Sequence, residues 1–155
     1  MMTTAVVATT IGSRICFETI TATCTKTIEI VSFLAKNVHP SFDEVNTLLV
    51  ECDLLAKLGQ IQQLVTEFHE KEQYGYTFKS SIKLAIADLD KVVQTLNDIV
   101  SRIKSVKDYH ESMYFHRWRK TNCTQLIHEL KVTNAVLNTR FNNLEKIISI
   151  NHNLS

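Results

Sequence analysis

The sequence has little of what turns a chain sharply. Its 155 residues include 3 glycines and 1 proline, where average usage would supply roughly 18 of the two together. So few turn formers argue against many short strands and leave no glycine-rich loop to cradle a phosphate. The elements must be long. No GxSxG, HExxH, GxxxxGK[ST] or GxGxxG pattern occurs, so the sequence spells out no nucleophile elbow, zinc-binding helix or nucleotide loop. The reading is of a protein that is not an enzyme. There is no stretch with a basic leader, an apolar core and a small-residue cleavage site, and no apolar run nears the ~18 residues that would span a bilayer. The expected location is cytoplasmic.

Cysteine chemistry is equally sparse. Cys16, Cys24, Cys52 and Cys123 form no CxxC pair and no zinc-ribbon spacing. They read as reduced thiols, with Cys16 and Cys24 as small buried hydrophobes eight residues apart on one helical face. The histidines His39, His69, His110, His116, His128 and His152 include no pair at i, i+4. Cys123, His116 and His128 are the nearest thing to a metal grouping, and the two histidines read as surface or connection residues. Neither metal nor cofactor is expected.

Net charge is lacking too: 17 Lys and Arg stand against 16 Asp and Glu. A dedicated nucleic-acid binder would be strongly basic, so nucleic acid is not an expected partner. The sum hides a polarity, because residues 41–72 carry 2 basic and 7 acidic groups while residues 73–155 carry 12 and 7.

What is present is helical periodicity. Pro40, Ser41 and Glu44 form a helix start with capping-box spacing, and Asp43 and Glu44 suit the positive end of the dipole. From there Val45, Leu48, Leu49, Cys52, Leu55, Leu58, Ile61, Leu64, Val65 and Phe68 recur at three and four, so one helix is predicted over 42–70. Gly59 lies inside it at a cost of roughly 1 kcal/mol relative to Ala, which a close helix crossing would explain. Residues 71–77, with Gly75, make the next break. A second stripe from Phe78 through Ile82, Leu89, Leu96 and Ile103 to Val106 predicts a helix over 77–106. Periodicity then lapses at residues 107–113, and the 107–118 connection has room for a short extra helix. The last stripe, Trp118, Leu126, Ile127, Leu130, Leu137, Phe141, Leu144, Ile147 and Ile148, predicts a helix over 118–150.

Residues 18–30 alternate threonine with other residues, a strand-like period of two. Helical spacing fits as well, through Ile11, Ile15, Ile20, Cys24, Ile28, Val31 and Leu34, and a lone strand would have no partner for its backbone groups. The reading is a helix over 5–36. The prediction is therefore a single all-α domain over 1–155, an up-down four-helix bundle.

Two features point outward. Arg102, Lys104, Lys107, Arg117, Arg119 and Lys120 lie within nineteen residues that hold only Asp108 and Glu111 as acids, interleaved with Tyr109, Tyr114, Phe115 and Trp118. Cations beside amphipathic aromatics suit anionic lipid headgroups, at about 1 kcal/mol per cation near such a surface. A solvated helix junction with Trp118 in the core accounts for the same composition. Residues 1–13 hold no charge and carry Val6, Val7 and Ile11, a stretch suited to a bilayer interface, or to the frayed start of the first helix.

The uninterrupted helix ending near Val106, the basic-aromatic connection Tyr109…Phe115-His-Arg-Trp-Arg-Lys, and the following Leu126…Leu130…Leu137…Phe141…Leu144 give a layout that resembles the HeLo-like four-helix bundles of regulated cell death, which include the executioner domain of mixed-lineage kinase domain-like pseudokinase. The likeness covers nearly half the chain and rests on apolar spacing rather than a diagnostic motif. It implies a membrane-permeabilising bundle that an upstream protein activates and that then oligomerises on acidic phospholipid at the plasma membrane. Lipid binding would fall on Arg102, Lys104, Lys107, Arg117, Trp118, Arg119 and Lys120, and insertion on Val6, Val7 and Ile11. The acidic segment 41–72 departs from the basic first half common in those bundles. It supports the alternative, a cytosolic adaptor or regulatory bundle that binds another helical protein and has no membrane activity.

Overall fold

The computed structural model describes the backbone of residues 2–36, 42–112 and 123–153, and the side chains of residues 17–36, 42–112 and 123–151. The described residues form five helices and no strand: α1 (Met2–Lys36), α2 (Asp43–Glu51), α3 (Leu54–Gln73), α4 (Ser80–Ser112) and α5 (Thr124–Asn153). The all-α expectation holds.

The threonine-rich stretch is helical throughout, and its hydroxyls show how. Thr21 donates to the Phe17 carbonyl at 3.0 Å, Thr25 to the Thr21 carbonyl at 3.0 Å and Thr27 to the Thr23 carbonyl at 2.7 Å. Each hydroxyl bonds back one turn, so a β-branched polar residue sits in the helix with its donor satisfied. The buried side of α1 is Phe17, Ile20, Cys24, Thr27, Val31 and Leu34, a strict three-four alternation that is the seam of a coiled coil.

The same alternation runs through α3 as Leu54, Leu58, Ile61, Val65 and Phe68, and through α4 from Ile82 and Ile86 to Ile103, Lys107 and His110. In α5 it passes through Leu126, Leu130, Thr133, Leu137 and Leu144. Burying each of these large aliphatic side chains stabilises the fold by about 1.5–3 kcal/mol. Val92 and Ile99 are buried beside the α4 seam, because α4 is covered on two sides, by α1 and by α5.

Cross-helix contacts fix the directions. Phe17 meets the Phe78 ring just before α4 at 6.2 Å, Thr27 hydrogen-bonds Asn97 at 3.0 Å, and the Lys104 ammonium lies 5.0 Å over Phe33. Both residue numbers rise together, so α1 and α4 run parallel. Phe17 lies beside His69 and Thr25 accepts from Gln62 at 2.6 Å, so α1 and α3 are antiparallel. Arg102 reaches Glu129 at 3.2 Å, while Thr95 and Asp98 share a groove with Val132 and Thr133, so α4 and α5 are antiparallel. The extended interfaces are α1 with α3, α1 with α4, and α4 with α5.

Several boundaries differ from the sequence reading. The predicted helix over 42–70 is two helices, α2 and α3, parted at Asp53, whose φ of 51° and ψ of 41° are left-handed. The Cys52 N–H ends α2 on the Leu48 carbonyl at 2.8 Å, and the Asp53 carbonyl opens α3 by accepting from the Lys57 N–H at 3.2 Å. The break turns the stripe about its axis, so Leu54 is fully buried and Leu55, which the continuous stripe had placed inside, is 40% exposed. Phe42 occupies the N-cap position of α2 without a side-chain cap; Ser41 of the expected capping box lies outside the described residues. Gly59 serves no close crossing, since a Cβ there would meet nothing within 4 Å. The helix predicted to end at Val106 runs on to Ser112, because Lys107 and His110 continue its buried seam. Residues 107–112 are thus part of α4 rather than a connection, and residues 113–122, including Trp118, lie outside the described residues.

Candidate interaction surface

An α-helix turns about 100° per residue, so residues close in sequence can face opposite ways. Arg102 and Lys104 are two residues apart and therefore about 200° apart around α4. Arg102 points toward α5, where its Nη1 is 3.2 Å from Glu129 Oε2 and 3.7 Å from Asp98 Oδ2. Lys104 points toward α1: its Nζ is 2.9 Å from Asp108 Oδ2 and lies over the Phe33 ring. Lys107 is inside the molecule. Its side chain is 3% exposed, its ammonium is paired with Glu111, and it stands 5.7 Å and 5.9 Å from the Phe33 and Phe42 ring centres. A cation so placed satisfies itself locally, with ion pairing and two aromatic faces offsetting lost hydration.

The described part of the basic cluster is therefore split between two sides of a helix, and each member has an acidic partner. Three of these pairs, Asp98 with Arg102, Lys104 with Asp108 and Lys107 with Glu111, have i, i+4 spacing. That spacing is legible in a sequence. Arg117, Trp118, Arg119 and Lys120 lie outside the described residues, as do the side chains of Val6, Val7 and Ile11, whose backbone belongs to α1.

The thiols give no reactive centre among the described residues. Cys24, Cys52 and Cys123 are free and buried. Burial, and then the nearby Asp90 carboxylate, push the Cys24 thiol up to about 12; burial likewise raises Cys52 and Cys123. Such thiols stay protonated and poorly nucleophilic at neutral pH. Asp90 itself is raised above the usual carboxylate range by burial, against a lowering hydrogen bond from Gln94 at 3.0 Å. No group of three or more His, Cys, Asp or Glu side chains converges as a metal site among the described residues.

The feature missed at the sequence level lies on the other side of the molecule. α3 and α5 run parallel: the Lys57 ammonium donates to Asn134 Oδ1 at 3.1 Å near one end, and further along Leu64 shares a groove with Phe141 and Ile148. The two helices have no extended interface there, and a groove of about 630 Å³ is left between them. Leu64, Phe141 and Ile148 are half-buried along it, and exposed Glu67 and Glu145 line it as well. No Lys or Arg lines it among the described residues. The sequence signal was an apolar residue beside the seam rather than in it: Leu64 next to Val65, Phe141 and Ile148 on either side of Leu144.

No family model matches the chain, and no solved structure matches it. Over 69 residues, 44% of its length, the chain is 32% identical to an uncharacterized protein of Acanthamoeba polyphaga mimivirus, and the match spans 34% of that protein.

Proposed function

We propose that the chain is a non-enzymatic interaction module, an up-down four-helix bundle that binds another helical protein in the cytoplasm. In this reading α2 and α3 form one kinked arm of the bundle. The observation that carries it is the engagement of Arg102, Lys104 and Lys107 within the fold, which leaves fewer free cations for a lipid surface than the sequence suggests. The membrane-permeabilising alternative then depends on Arg117, Trp118, Arg119, Lys120 and the uncharged residues 1–13. Among the described residues no helix is long and apolar enough to cross a membrane.

Liposomes separate the two readings. With the purified chain and vesicles containing phosphatidylserine, the interaction module is expected to give neither salt-sensitive co-sedimentation nor dye leakage, and the Arg117→Glu/Arg119→Glu variant should behave as the parent does. Leakage that needs anionic lipid, weakens as salt screens the charges and disappears in that variant would overturn the proposal in favour of the membrane-acting bundle.

A further inference from the structure

The interaction-module reading says that a helical protein binds; the groove between α3 and α5 says which kind. We infer that this groove is the docking site for a basic amphipathic helix of a partner protein, an inference that rests on the interaction-module reading and narrows it. Phe141 and Ile148 are seven residues apart on α5, two helical turns and about 10.5 Å along the axis. A helix laid in a groove presents its own apolar anchors at i, i+3 or i+4, and i+7, so its spacing matches this floor, with Leu64 on the opposite wall.

Charge selects among such helices. In the C-terminal half of α4 and on the facing turn of α5 the carboxylates are met from within the fold: Asp98 and Glu129 by Arg102, Asp108 by Lys104, Glu111 by Lys107. Glu67 and Glu145 are different, lining the groove from opposite helices with no ion-pair partner among the described residues. Two carboxylates flanking an apolar floor, with no Lys or Arg in the described lining of the groove, complement lysine or arginine on both flanks of an entering apolar stripe and repel an acidic helix.

The test uses the full chain and three fluorescein-labelled helical peptides of roughly three heptads, each with leucine on one face and lysine, glutamine or glutamate on the other. Fluorescence anisotropy at low salt should show the lysine peptide binding about tenfold or more tighter than the glutamate peptide. Glu67→Lys/Glu145→Lys should reverse that order, and Phe141→Ala should weaken binding of all three. Glu67 and Glu145 are exposed, so the double variant should keep its helical circular dichroism. Equal affinity for all three peptides, unchanged in the double variant, would overturn the basic-helix assignment while leaving a helical partner in place. No binding of any peptide would overturn the docking site. Self-association of the chain abolished by Phe141→Ala would give the groove to a second copy and overturn the assignment to a different protein. Failure of the interaction-module reading shows separately, as vesicle leakage.

Discussion

Asp90 shows how a single side chain can carry an energetic cost that the rest of the core absorbs. Its Oδ2 accepts from Gln94, while its Oδ1 is buried and has no hydrogen-bond partner among the described residues. Burial raises its pKa above the unfolded value, so the folded state binds the proton more tightly than the unfolded chain does. Ionisation therefore destabilises the fold. The penalty is fully present above the raised pKa and fades as pH falls through it toward the ordinary carboxylate value. Asp90→Asn should melt at a higher temperature than the parent at pH 7, and the two melting curves should converge as the pH is lowered toward 4. A difference that persists unchanged into acid would mean that packing, rather than charge, sets the effect. Lys107 is the contrasting case, a buried charge whose partners Glu111, Phe33 and Phe42 are all in place.

Gly59 and Gly75 differ in what α3 and its end need from them. Gly75 has φ of 88° and closes α3: its N–H donates to the Glu72 carbonyl at 3.0 Å, and the Tyr76 N–H donates to the Lys71 carbonyl at 3.0 Å. This is a Schellman cap, whose left-handed residue is inexpensive only without a Cβ. Gly59 lies mid-helix with open space where a Cβ would go. Gly59→Ala should raise unfolding stability by about 0.5–1 kcal/mol, and Gly75→Ala should lower it by about 1–2 kcal/mol, both measured by urea titration. The same contrast explains what could be read in advance. The end of α3 was legible because glycine announces it. The kink at Asp53 was not, because aspartate is also an ordinary helix-surface residue and the apolar stripe on either side can be drawn straight through it. The true end of α4 was hidden for a related reason: Lys107 and His110 hold seam positions with side chains that a hydrophobicity pattern passes over. The groove was out of reach, since Leu64, Phe141 and Ile148 read as core until the separation of α3 from α5 is known.

At the scale of the molecule, helix content was legible and helix adjacency was not. Apolar periodicity says that a helix has a covered side, but it does not say by which neighbour. Sequence order suggests that α3 packs along α4; instead α1 stands between them, antiparallel to one and parallel to the other. The Thr27–Asn97 hydrogen bond spans 70 residues of chain. A fragment of residues 1–79 should therefore retain helical circular dichroism yet bind the dye ANS strongly, because the side of α1 that α4 covers is bare; the full chain should bind little. Weak dye binding by the fragment would show that α1 and α3 alone bury that side. The same arrangement sets a timetable for synthesis. α1 and α3 leave the ribosome early and can close on each other, but the side of α1 that α4 covers stays bare until the residues around Asn97 have followed, so the growing chain carries a sticky, half-dressed hairpin through the middle of its translation. That interval is when the protein has most need of a chaperone.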